Sequence, residues 1–175
     1  MRTTIFLSIT LAAGIAGMML AGCGNAVDVS GSGGNQQQPI IGSWVSEGAD
    51  VAPLLAGAPF NNVKITATFK DDGTYSVVGI DSSNKEIDYT GTYQIMQSGV
   101  GNIVQIRLSQ VNPSTAQAEG MYQIDTSQTP QRMQYEVVQT QPTNGLSPPT
   151  PDKGFGSTVY NGMQIATLIQ KYSRQ

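Results

Sequence analysis

Histidine is missing from all 175 residues, and cysteine occurs once, at Cys23. The first absence removes the imidazole general base and the commonest metal ligand. Serines and threonines are plentiful, yet none has a histidine to activate it. A single cysteine excludes an internal disulfide, so the fold must hold on its packed core even in an oxidising compartment. Charge is sparse too, at 12% of residues, with twelve acids against nine bases. A net charge of −3 gives no electrostatic footprint for nucleic acid or anionic lipid. Carboxylates and lysines remain, and no pair of them stands out as catalytic. The expectation is a protein that is not an enzyme and needs no cofactor or metal.

What is present begins with a greasy amino terminus. Arg2 precedes an apolar run from Ile5 to Leu20, and no charge follows until Asp28. The run is short for a spanning helix, which needs about 20 apolar residues. It fits a secretory signal peptide ending in small residues. The end itself, Leu20-Ala21-Gly22-Cys23, resembles the lipobox of bacterial lipoprotein precursors. That resemblance implies cleavage before Cys23, a diacylglycerol thioether on its sulfur, and acylation of the new amino terminus. Several acyl chains hold where one is reversible, at about 0.8 kcal/mol per buried CH₂. Cleavage would remove Arg2 and leave eight bases against twelve acids, so lipid and not charge does the holding. Gly24 after the cysteine implies outer-membrane delivery in a double-membraned host.

Residues 1–22 therefore read as a lipoprotein signal peptide, and 23–39 as a lipidated cysteine with a flexible tether. "NAVDVSGSGGNQQQ" (25–38) is too poor in apolar residues to offset its ordering entropy. As a coil of about 16 residues it reaches roughly 20–25 Å.

From Ile40 to Gln175 the dominant period is two, the signature of half-buried strands. "VKITATFK" (63–70) sets Val63, Ile65, Ala67 and Phe69 against Lys64, Thr66, Thr68 and Lys70. Asp71-Asp72-Gly73 reads as a hairpin turn with glycine at positive φ. It lacks the alternating ligands and terminal glutamate of a calcium loop. In "IDYTGTYQI" (87–95), Ile87, Tyr89, Gly91, Tyr93 and Ile95 share a face. Further strands are expected over Ile40–Glu47, Thr74–Ile80, Ile103–Val111, Ala118–Asp125, Arg132–Thr140 and Met163–Lys171. Short connections permit only antiparallel pairing, and eight strands suffice to close a barrel. Met163–Lys171 should then pair with Ile40–Glu47. Gly79 and Gly91, inside strands, read as bulges or bends.

Gly42-Ser43-Trp44, Asp72-Gly73-Thr74-Tyr75 and Thr90-Gly91-Thr92-Tyr93 resemble motifs of lipocalin-like (calycin-type) domains found in bacterial lipoproteins. The resemblance implies an all-β, eight-stranded antiparallel up-and-down barrel over residues 40–175, closed at its tryptophan end. It also implies a basic residue stacked on Trp44, either Lys171 or Arg174.

Two readings of function stay open. In the first, the barrel binds a small apolar or amphipathic ligand. The first loop, "GADVAPLLAGAPFNN" (48–62), would act as a lid, with Val51, Leu54, Leu55, Phe60, Tyr75, Tyr89 and Tyr93 as the candidate ligand-binding residues. In the second, a barrel filled by its own side chains serves as a non-catalytic structural or interaction protein of the cell envelope. The expected partners are the membrane, through the lipid on Cys23, and either a small apolar ligand or an envelope protein. A long proline-bearing loop, Gln141–Gly156, reads as an insertion or as a segment that docks a partner.

Overall fold

The computed structural model describes residues 40–175; the expected signal peptide, lipidated Cys23 and tether lie outside the described residues. Eleven strands follow one another: β1 Gly42–Glu47, β2 Asn62–Phe69, β3 Thr74–Asp81, β4 Glu86–Gln97, β5 Val104–Asn112, β6 Ala116–Asp125, β7 Arg132–Gln141, β8 Leu146–Ser147, β9 Thr158–Tyr160, β10 Met163–Ile165 and β11 Gln170–Arg174. Eight of them close an antiparallel barrel in the order β1-β11-β7-β6-β5-β4-β3-β2. Closure leaves no barrel edge to aggregate.

The alternation read from the sequence decides which side chains enter. Ile65, Ala67 and Phe69 of β2 and Val104, Ile106 and Leu108 of β5 are buried in one core with Trp44, Tyr122 and Met133. Burying each large aliphatic or phenyl group stabilises the fold by about 1.5–3 kcal/mol. Val63, expected to point inward with Ile65, stands 45% exposed. Asn62 pairs with Asp81 and Lys64 with Ile80, so Val63 is the extra residue of a bulge. A second bulge lies opposite Gly91, where the pairing steps from Thr90↔Asn112 to Gly91↔Gln110. Bulges increase local twist and so help the sheet to curl.

Three hairpin turns share one device. Asp72 Oδ1 accepts from the amide and hydroxyl of Thr74 at 2.9 and 2.6 Å. Asp81 does the same for Ser83, at 2.8 and 2.6 Å, and Asp125 for Ser127, at 2.9 and 2.6 Å. An aspartate that bonds its own backbone two residues on gives the chain an alternative to the ladder and so ends the strand.

The C-terminal run corrects the expectation of one strand over Met163–Lys171. Asn161 (φ 49°) and Gly162 (φ 83°) form a two-residue turn that pairs β10 back onto β9. With β8 these make a separate three-stranded sheet. The closing strand is the later β11, which sets Arg174 opposite Trp44 and Ser173 opposite Val45. The connection between β7 and β11 is tied to the barrel wall by Glu136. Its neighbours Tyr135 and Val137 face the interior, so Glu136 faces out, yet it is fully covered. Its carboxyl oxygens accept from the Gly156 amide at 2.6 Å and from the Thr158 amide and hydroxyl at 3.2 and 2.6 Å.

Candidate ligand-binding cavity

The up-and-down path puts the turns 70–73, 98–103 and 126–131 at one end of the barrel and the loop 48–61 at the other. The first end is filled. Trp44 is fully buried there, and its indole Nε1–H donates to the Ile40 carbonyl at 2.7 Å. The Arg174 guanidinium lies over its ring at 5.0 Å; Arg174, not Lys171, takes the stacking position.

Towards the other end the side chains part around a cavity of about 270 Å³. Phe69 and Ala67 line it alongside Ile65, Val77, Leu108 and Val137. Leu55 and Phe60 reach it from the first loop. That loop is built from a 3₁₀ turn, Gly48–Asp50, and one helical turn, Pro53–Ala56, opened by proline where no intrahelical donor is needed. It is pinned at several points. Asp50 pairs with Arg132 at 2.8 Å. The Ala52 amide donates to Gln170 Oε1 at 2.7 Å, and the Leu54 amide to the Thr167 carbonyl at 2.9 Å. The Ser82 amide holds Asn61 O at 3.0 Å.

Of the seven candidate ligand-binding residues, Leu55, Phe60, Tyr75 and Tyr89 meet around this cavity. Val51, Leu54 and Tyr93 are placed elsewhere. Val51 is buried in the core cluster, because the 3₁₀ turn folds it inward. Leu54 is on the outer side of its helical turn and 38% exposed. Tyr93 shares the face of Tyr89 but lies four residues nearer the filled end. There its ring meets Phe69 edge-on at 5.2 Å and its hydroxyl donates to the Lys70 carbonyl at 2.7 Å. Sequence reasoning missed Tyr135 and Tyr172, whose rings meet edge-on at 5.9 Å and which both line the cavity. Their inward parity was there to be read, since Tyr135 alternates with Met133 and Val137. The displaced closing strand hid Tyr172.

None of the lining residues is charged. The polar groups are Asn62, Gln110 and the hydroxyls of Tyr75, Tyr89, Tyr135 and Tyr172. Burial pushes all four phenols above their ordinary value. For Tyr135, neighbouring Tyr172 and Tyr75 add to the effect of burial. All four therefore stay neutral donors at physiological pH. Among the described residues two buried side-chain polar atoms have no protein partner, Ser46 Oγ and Gln170 Nε2. Ser46 stands opposite Ile65 of the cavity wall. Among the described residues no cluster of three histidine, cysteine, aspartate or glutamate side chains could hold a metal ion.

No protein-family model, no curated protein and no solved structure matches the chain.

Proposed function

We propose that this is a lipid-anchored envelope protein whose lipocalin-like barrel binds a small apolar or amphipathic molecule in the cavity beneath the loop 48–61. The observation that carries the binding half is the cavity itself: about 270 Å³ of largely apolar space at the barrel mouth, just under the lower bound of known ligand sites, about 300 Å³. A few polar groups on an otherwise apolar wall are the usual pattern of such sites. The anchor half rests on Leu20-Ala21-Gly22-Cys23 after an apolar run.

Each half has its own experiment. Leu108→Trp should fill the cavity and abolish binding of a small apolar probe such as tetralin, read by calorimetry on the full chain in mild detergent. If the variant folds and binds as well as the parent, the site lies elsewhere. Cys23→Ser should move the protein from the membrane pellet to the soluble fraction and end labelling by radioactive palmitate. Unchanged labelling would remove the anchor.

The scaffold reading draws on the filled end around Trp44, Val104, Ile106 and Tyr122. A barrel that binds no probe would favour it.

A further inference from the structure

The cavity is not a generic apolar hollow, and its size and donors together restrict what can enter. A cavity of 150 Å³ lined by aliphatic and phenyl groups takes benzene. By that scale, about 270 Å³ accommodates about ten to twelve non-hydrogen atoms. A long-chain fatty acid would not fit without leaving most of its chain outside.

Charge narrows the choice again. An anion placed here would be stripped of water with no cation on the wall to compensate, a cost of several kcal/mol. Lys85 lines an adjoining recess of about 130 Å³ that shares Phe60, Asn62, Gly79 and Tyr89 with the cavity, and Asp81 lines the same recess and offsets its charge.

The hydroxyls set the last condition. Tyr75 and Tyr135 flank Phe69 on the wall, with ring centroids 6.3 and 6.4 Å from its own, and Tyr172 meets Tyr135 at 5.9 Å. Phenols buried in apolar surroundings ordinarily have a hydrogen-bond partner. Among the described residues these three hydroxyls make no hydrogen bond to the protein, and they open onto the cavity instead of being sealed in the wall. Each is a donor awaiting an acceptor.

Resting on the binding function proposed above, we infer that the cavity takes a compact, uncharged ring compound carrying a hydrogen-bond acceptor, such as a cyclic ketone or lactone, held by the hydroxyls of Tyr75, Tyr135 and Tyr172. The aromatic wall suits a flat ring, and the hydroxyl cluster orients its oxygen.

Four probes of graded chemistry test this by calorimetry on the full chain in mild detergent: α-tetralone, tetralin, tetralin carboxylate and palmitate. The ketone should bind about tenfold tighter than tetralin, the gain of one well-made hydrogen bond. It should exceed the two anions by at least as much. Tyr135→Phe and Tyr172→Phe should bring the ketone's affinity down to that of tetralin for the same variant, a loss of preference that a merely structural role for the rings would not produce. Equal binding of ketone and hydrocarbon overturns the donor cluster while leaving the binding function standing. Tighter binding of either anion overturns the uncharged class in the same way. No binding by any probe overturns the binding function itself, and this inference with it.

Discussion

Arg174 lies across the barrel seam from Trp44, its register partner, and covers the indole with its guanidinium at 5.0 Å. The same side chain donates to the carbonyl of Ile41 at 2.5 Å and to Gln131 Oε1 at 2.8 Å. Three segments thus meet on one cation: the entry to β1, the turn before β7, and β11 itself. A cation over an indole is worth about 0.5–2 kcal/mol, and each hydrogen bond about 0.5–1.5 kcal/mol. Arg174→Met keeps the aliphatic stem and loses the rest, so it should lower stability by about 2–3 kcal/mol. Urea unfolding followed by Trp44 fluorescence measures this. A midpoint equal to the parent's would show that the seam does not depend on Arg174.

Glycine marks where neighbouring strands come too close for a side chain. A Cβ on Gly91 would sit 2.0 Å from the Ser109 carbonyl oxygen, and one on Gly120 would sit 2.0 Å from that of Glu136. The nearest atom at each position is backbone of the adjacent strand, which cannot swing aside as a side chain can. Gly91→Ala and Gly120→Ala should each cost about 3 kcal/mol or prevent folding. Gly79→Ala meets only the movable end of Asn62, at 3.0 Å, and should cost under about 1 kcal/mol. Thermal unfolding of the three variants should rank them in that way. Equal costs would mean that strand spacing at Gly91 and Gly120 is not what the glycines serve.

Period-two patterning carried most of the barrel because each strand buries one face, and a slip by one residue would expose it. Ile65, Ala67, Phe69, Val104, Ile106 and Leu108 are inside for that reason. Local pattern does not record bulges, which is why it puts Val63 on the wrong side. Nor could it locate the closing strand: "MQIATLIQKY" is uniformly strand-like, and tertiary pairing decides which part joins β1. The cavity was legible only as an apolar first loop and an aromatic face. Leu55 and Phe60 reach the hollow while Val51 and Leu54 do not, a difference made by one 3₁₀ turn and one helical turn. The covering of Glu136 was not legible at all. A charged residue on an outward parity reads as solvated until another part of the chain folds over it.

Alkaline pH should unfold the barrel through its phenols. Burial raises Tyr75, Tyr89, Tyr135 and Tyr172, and it lifts Tyr122 from 10.0 to about 12, with Tyr93 nearby adding to it. A phenol whose folded value is raised contributes stability that is fully present below about pH 10 and lost as pH climbs through the folded value. The unfolding midpoint should therefore fall steeply between about pH 10 and 12. At about pH 11 the native protein should show under half of the phenolate absorbance of the urea-unfolded chain. Matching native and unfolded titration curves would mean that these hydroxyls are reached freely by water.

Glu136 makes the last prediction, because one carboxyl group holds the segment between β7 and β11 to the wall. It accepts from two amides and one hydroxyl across Gly156 and Thr158, and it is fully buried. In Glu136→Gln one oxygen becomes an NH₂ group that faces donors already needing an acceptor. Unmatched buried donors cost about 1–3 kcal/mol. The loss should be local, since Tyr135 and Val137 on either side keep their inward packing. Hydrogen exchange at the Gly156 and Thr158 amides should accelerate at least tenfold, while amides of β4 and β5 keep their parent rates. Trypsin should cut faster at Lys153, an exposed residue three positions before Gly156. Should exchange rise evenly around the whole barrel, Glu136 would be part of the global core and not a local fastening.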